Sequence, residues 1–312
     1  ALRRSGWLCL LLSFSAMAAG DGSGGEKARG ESGLGPSRSN MGHGWAFLKN
    51  PTERDVRGKK RRRKALDKPL SDFKYLVVLD FEWTCDDRRR VAPSEIIEFP
   101  SVLVKTTYPP MVVSEFQTYC RPTVNPTLST FCKHLTGISQ EDVDRGVSLH
   151  RALDLHAQWL RENGLATGAP GGAGLDLDLD GRDWATVTWG DSDIMTTLRN
   201  ECEAKGLPFP AHFRKWINLK VLFQRHYKRE AKGGLKACVE SCCGGNSFEG
   251  RPHSGIVDSR NTAKIVMHML RTGFRFRANT RGFGPDGLAW GQQRRKKEEQ
   301  GGKRQDESQI NG

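Results

Sequence analysis

One short apolar run that ends in two carboxylates constrains this chain most: Tyr75-Leu-Val-Val-Leu-Asp80-Phe-Glu82-Trp-Thr. A leucine-rich, β-branched run of this length has the pattern of a buried central strand. Side chains alternate along a strand, so Asp80 and Glu82 are expected on the same side. Two neighbouring carboxylates at the end of an apolar strand are costly to ionise unless positive charge sits between them. A hard divalent cation with oxygen ligands, Mg²⁺ or Mn²⁺, meets that need. The bland alternative is a strand end with two exposed acids. Further carboxylates elsewhere in the chain would decide between the two.

Around that run the chain divides by composition. Its 312 residues are enough for one good-sized domain with tails. The formal charge is +13, but residues 71–280 hold 27 Lys/Arg against 25 Asp/Glu, so most of the excess sits in the flanks. The folded part is therefore not a generally basic body, and its contacts with nucleic acid would come from local clusters.

Residues 1–20 have the pattern of a secretory leader. Arg3 and Arg4 precede the apolar run Trp7–Phe14, and small residues follow. The run is too short to span a membrane as an ordinary helix. Met41 offers an alternative start that would leave this stretch out. Residues 21–45 are Gly/Ser-rich without apolar periodicity, which predicts disorder. Lys59-Lys-Arg-Arg-Arg-Lys64 suits a nuclear localisation signal, a nonspecific RNA arm or a solvated linker. The expected layout is a leader-like and disordered basic segment over 1–70, a folded domain over 71–280 and a disordered tail over 281–312. The basic block points to the cytoplasm or nucleus, and the leader leaves secretory or organellar targeting open.

Within 71–280 the pattern alternates. After the first strand and the polar turn Asp86–Arg90, strands are expected over 95–104 and 114–120, the latter ended by Pro122. A short helix over 128–135 stops at Gly137. An amphipathic helix from Ser148 to about Asn163 has Leu149, Leu153, Trp159 and Leu160 as core contacts. Residues 164–183 are a Gly-rich, flexible insertion. A fourth strand covers 185–189, and Asp191 and Asp193 open the next helix, to about Lys205. Lys215–Leu219 is the last strand, leading into a basic helix through Tyr227. Helices over 235–243 and 257–270 close the domain. A strand meander followed by alternating strands and helices indicates an α/β domain with a mixed five-stranded sheet flanked by helices.

Two metal-like patterns are weaker. Cys238-x-x-x-Cys242-Cys243 with His253 lacks the second paired half of a zinc site. Asp176-x-Asp178-x-Asp180-Gly181 begins like an EF-hand loop, but Val187 stands where the loop needs Glu. Eight scattered cysteines in a chain with a periodic core are expected as thiols rather than as a disulfide framework.

The stronger constellation grows from the opening run. A third carboxylate arrives at Asp191 or Asp193, just past a strand. A fourth is Asp258, at the start of the closing helix, with His253 five residues earlier. Carboxylates converging from strand ends and a helix can hold two metal ions, and such a pair clamps the attacking and leaving oxygens of a phosphodiester. A histidine beside them can take a proton from the attacking water.

Asp80-Phe-Glu82, Glu95-Ile-Ile-Glu-Phe-Pro100, Leu135-Thr-Gly-Ile138, Lys215-Trp-Ile-Asn-Leu219 and Gly250-Arg-Pro-His253-Ser-Gly-Ile-Val-Asp258-Ser-Arg-Asn261 resemble, in order, the ERI branch of the DEDDh 3′–5′ exonucleases. The resemblance covers roughly residues 72–280 and implies an RNase H-like fold. It implies an exoribonuclease that uses two Mg²⁺ ions, with Mn²⁺ as a substitute, to release nucleoside 5′-monophosphates from a single-stranded RNA 3′ end. Asp80, Glu82, Asp193 and Asp258 become metal ligands and His253 the general base. Glu82 counts with His253 as catalytic, and Glu82, Trp83 and His253 border the terminal nucleotide. The family's third acid usually follows an aromatic residue, where this chain has Ser192. Asp193 still aligns better than Asp191, because it keeps the distance to Thr188 and Gly190. Trp83 replaces a residue that is usually small, so it stacks on a base, narrows the pocket or packs into the core.

Lys215, Lys220, Arg225, Lys228, Arg229, Lys232 and Lys236, interleaved with Phe223 and Tyr227, either track RNA phosphates or form an outer helix face. The alternatives to an exoribonuclease are a DNA exonuclease of the same fold and a catalytically weak RNA-binding module. No zinc finger or SAP-like module stands out beside the domain, so a bare nuclease domain is expected, without membrane contact. The sequence names no protein partner.

Overall fold

The apolar stretches of the chain build one mixed sheet. The computed structural model describes residues 69–165, 183–280 and 282–283. The leader-like stretch, the 59–64 basic block, most of the 164–183 insertion with its EF-hand-like start, and the tail beyond Phe283 lie outside the described residues. The strands are β1 (Tyr75–Val78), β2 (Glu82–Trp83), β3 (Ile96–Lys105), β4 (Met111–Tyr119), β5 (Trp184–Thr188) and β6 (Trp216–Asn218). The long β3 lies antiparallel to β4 on one side and to β1 and β2 on the other. Beyond β1, β5 and β6 run parallel to it. The five expected strands are all present, and the two-residue β2 joins them as a sixth.

The helices are α1 (Thr130–Thr136), α2 (Gln140–Asp144), α3 (Leu149–Glu162), α4 (Arg199–Ala204), α5 (Leu219–Tyr227), α6 (Gly234–Cys243) and α7 (Gly255–Arg271). Alternate residues of β1 serve opposite faces of the sheet, as the period of a strand requires. Leu76 and Val78 pack with Phe223 of α5, Val239 of α6 and Ile265, Val266 and Met269 of α7. Val77 packs with Trp159 and Leu160 of α3. Leu79 meets Leu149 and Leu153 of the same helix. A strand covered on both faces must be apolar throughout, which is why β1 reads as an unbroken run.

Ser148 begins α3 as expected, its hydroxyl accepting the Arg151 N–H at 3.2 Å. Packing also continues past residue 280. Phe283 is buried against Trp216 and Phe209, and its N–H reaches Arg214 O at 2.8 Å. Among the described residues no helix is long and apolar enough to cross a membrane.

Candidate active site

The Asp-x-Glu pair straddles a break in the sheet instead of lying on one strand. β1 ends at Val78 and β2 begins at Glu82. The ladder breaks because a side chain takes one of its donors: Phe81 N–H bonds Asp193 Oδ1 at 2.9 Å, while Leu79 N–H still reaches Val187 O. The bond that interrupts the strand brings the third acid to the first two.

Asp193 sits in a wide, π-wound turn, Ser192–Leu198, directly after β5. Such turns carry an extra residue per turn and recur at functional sites. This one buries Asp193 and Ile194 and leaves Asp191 at the rim. Asp191 accepts Trp216 Nε1–H at 2.9 Å and so anchors β6. Asp193, the acid that keeps the spacing to Thr188 and Gly190, is the one whose charge reaches Asp80.

The fourth acid comes from the first turn of α7. Asp258 Oδ2 accepts the His253 N–H at 2.9 Å, and its Oδ1 is buried with no hydrogen-bond partner among the described residues. His253 is exposed and holds a φ of 61°, a backbone state that non-glycine residues rarely adopt. The loop that carries it is latched at a second point. Arg251 donates to the carbonyl of His134, and its guanidinium lies over Gly137, where any Cβ would collide with it. The Leu135-Thr-Gly-Ile138 segment thus seats the histidine loop.

The acids share one electrostatic neighbourhood. Burial, then the charges of Asp193, Asp258, Glu82 and Glu98, push Asp80 well above the usual carboxylate range. Glu82 is raised by burial and by Asp258, Glu98 and Asp193. Burial lifts Asp193 to about 7, against the Phe81 hydrogen bond. It lifts Asp258 to about 6, against the His253 N–H. Partial desolvation of its ring, with Arg251 next, lowers His253 and favours the neutral form.

Buried oxygens that repel one another and lack a counter-charge suit a hard divalent cation, and the orphan Oδ1 of Asp258 supplies a free donor. Among the described residues, no three His, Cys, Asp or Glu side chains already converge on one point. Asp193 and Asp258 each have one oxygen tied to a backbone N–H.

Trp83 is half-buried and packs against the cluster of Leu79, Phe81 and Phe99, so part of its ring serves the core. Its carbonyl faces the Cys132 thiol at 3.7 Å. Hydrogen bonding from Cys85 brings Cys132 down to about 7. The seven described cysteines are all free thiols. In the basic run, Phe223 is buried in the core and cannot stack on a base. Arg229 lies over the rings of Phe223 and Tyr227 and bonds Ser241. Phe223 therefore serves packing, and Tyr227 is half-buried against the same core.

Sequence reasoning gave Glu98 no role. It is buried opposite Glu82, and its carboxylate accepts the N–H groups of Gly255 and Ile256 at the start of α7. The only signal was a charged residue inside an otherwise apolar strand, Ile96-Ile-Glu98-Phe.

Residues 77–178 match the RNase_T family, described as Exonuclease. ERI1 exoribonuclease 2 of Homo sapiens is 40% identical over 208 residues, which cover 64% of this chain and 29% of that protein. The 3'-5' exonuclease Snipper of Drosophila melanogaster is 34% identical over 222 residues, 70% of this chain and 76% of the fly protein. The solved nuclease domain of 3'hExo, a DEDDh family member bound to rAMP, aligns with a TM-score of 0.58 at 32% identity. That alignment covers 66% of this chain and 96% of the solved one. The chain thus spans less than a third of the human relative's length.

Proposed function

The chain belongs to the ERI branch of the DEDDh exonucleases, and on that premise we propose that it removes nucleoside 5′-monophosphates from the 3′ end of single-stranded RNA. The family implies dependence on a divalent metal. In this reading the metal is Mg²⁺, as two ions, with Mn²⁺ as a substitute. Asp80, Glu82, Asp193 and Asp258 would hold them. When bound, the pair supplies positive charge to the attacking and leaving oxygens of the phosphodiester.

The chain's own groups do the rest. Phe81 N–H fixes one oxygen of Asp193. His253 N–H fixes one oxygen of Asp258 and leaves Oδ1 free. The same bond holds the histidine loop to the acid, so the ring that takes the water's proton is tied to a ligand of the site. Glu82 and Trp83 border the terminal nucleotide, with the unburied part of the indole as its stacking surface. The free thiols suit a reducing compartment, cytoplasm or nucleus.

The observation that carries this reading is that the charges of Asp193 and Asp258, from two other chain regions, reach Asp80 and Glu82, and that all four acids are pushed toward protonation, chiefly by burial. The test is incubation of the full chain with 5′-labelled and 3′-labelled RNA and DNA oligonucleotides, with and without Mg²⁺. A ladder shortening from the 3′ end, on RNA and only with metal, is expected. Equal or faster loss of DNA makes it a DNA exonuclease. Binding without cleavage makes it an RNA-binding module.

A further inference from the structure

We propose that Glu98 is the positioning residue that sets the His253–Asp258 arm of the site against the Asp80–Glu82 arm, a role that rests on the nuclease reading above. Glu98 stands in β3 directly opposite Glu82 of β2 and is buried. Its carboxylate is fully used. Oε2 accepts Gly255 N–H at 2.8 Å, and Oε1 accepts Ile256 N–H at 3.1 Å and Gln117 Nε2–H at 2.8 Å. Gly255 and Ile256 begin α7, where unpaired N–H groups and the helix dipole favour a negative charge.

A helix can take its cap from its own chain, but Ser254, at the cap position, makes no side-chain cap bond. The cap comes from the sheet instead, so it fixes the helix to the strands and does more than end it. The approach is close because residue 255 is Gly. A Cβ there would stand 2.6 Å from the carbonyl oxygen of Asp80, 3.0 Å from Pro100 Cγ and 3.1 Å from Glu98 Oε2. One carboxylate and one missing methyl group therefore lock the start of α7 onto the strand end that bears Asp80. Asp258 lies three residues into that helix and His253 two residues before it, so any slip of α7 moves both.

The placement also has a cost, because the Glu98 charge repels Asp80, Glu82 and Asp258. Gln would avoid the repulsion, but its single oxygen cannot serve three donors.

Glu98→Gln tests this. On a 5′-labelled RNA oligonucleotide at saturating Mg²⁺, kcat is expected to fall on the order of 10–100-fold, with KM within about threefold. In a His253→Ala background the same change is expected to cost less than in the wild type, because the histidine's share of the effect is already gone while that of Asp258 remains. An equal loss in both backgrounds overturns the proposal, as does wild-type kcat in Glu98→Gln. Gly255→Ala, which keeps the carboxylate but pushes α7 off Asp80, is expected to give the same pattern, and it carries the kinetic test if Glu98→Gln does not fold.

Hydrogen exchange on the metal-free chain gives a readout independent of turnover. Residues 249–258 are expected to exchange faster in either variant, with α3 unchanged. Wild-type protection of that segment in a variant overturns the proposal. Faster exchange together with an inactive wild-type chain removes the nuclease reading and leaves the lock standing.

Discussion

Glu95 is fully buried and still ionises more readily than a carboxylate in water, whereas the cleft acids Asp80, Glu82, Asp193 and Asp258 all resist ionisation. Burial opposes the charge in both places, so burial does not explain the difference. Glu95 accepts the N–H groups of Thr123, Val124 and Asn125 and pairs with Lys205 at 2.9 Å. Lys205 also bonds Glu201 at 2.6 Å, and Glu201 takes the Ile96 N–H. That cluster carries its own counter-charge and donors, as a structural one must. The acids of the cleft raise one another, and Asp258 Oδ1 has no hydrogen-bond partner among the described residues. Glu95 thus differs from the cleft acids in having three N–H donors and Lys205 around it, while burial still raises Glu201 in the same cluster.

Neutralising one member on each side tests that contrast most severely. Asp80→Asn is expected to reduce Mg²⁺-dependent RNA loss to background, since ligand loss removes the charge on which the reaction depends. Its thermal midpoint should hold or rise, because repulsion with Asp193 and Asp258 is relieved. A melted Asp80→Asn protein would make the cleft a structural cluster like the other and end the contrast.

His253→Ala comes next. A rate loss on the order of 10²–10⁴-fold is expected, with Mn²⁺ binding, followed by titration calorimetry, retained. Loss of metal binding would move His253 among the ligands.

Lys205→Met strands the buried charges of Glu95 and Glu201. A destabilisation of about 3–5 kcal/mol is expected from urea unfolding. An unchanged midpoint would show that the three N–H bonds balance Glu95 unaided.

The smallest effect is a pH slope. Asp193 rises to about 7 and Asp258 to about 6 in the folded chain, above the ordinary Asp value. The folded state therefore holds more protons than the unfolded one below pH 7, and this part of the stability is lost as pH rises through 6 to 7. Between pH 6.5 and 8 the metal-free chain should lose on the order of 1 kcal/mol by this route. His156, lowered to about 3 by burial, is neutral in the folded chain, and because the unfolded chain still binds its proton near pH 6.5, it adds a smaller slope of opposite sign, common to wild type and variant. Cys132 and Cys243, both lowered to about 7, titrate in the same window. The difference between wild type and Asp193→Asn in thermal melts isolates the acid. Saturating Mg²⁺ should abolish that difference, and persistence of the slope with metal would place the proton elsewhere.

Much of this was legible in the residues. β1 showed itself as an apolar run, and α3 through Ser148 and its spaced core positions. Asp80, Glu82, His253 and Asp258 stood out because carboxylates at strand and helix ends are hard to place otherwise. Other features were hidden for physical reasons. β2 is two residues long and exists only as a pairing with β3. The stop between Asp80 and Glu82 depends on a side chain 112 positions away. Spacing to Thr188 and Gly190 favoured Asp193 over Asp191, but it did not show that Asp191 would anchor Trp216 and Asp193 reach Phe81. Phe223 stood among lysines as a group that either stacks on RNA or lies on an outer helix face, and the core claimed it.

What the sequence determined by itself is which groups were available: an apolar frame with period two or 3.6, and acids and a histidine where a chain must turn. Those depend on local preference and on the cost of burying charge, which residue order expresses. Tertiary structure alone decided which acids meet, which stay satisfied and which remain in need of a cation. Hydrogen bonds such as Phe81 to Asp193, Gly255 to Glu98 and Lys205 to Glu95 join residues scores of positions apart, and they form only once packing has excluded water from both partners.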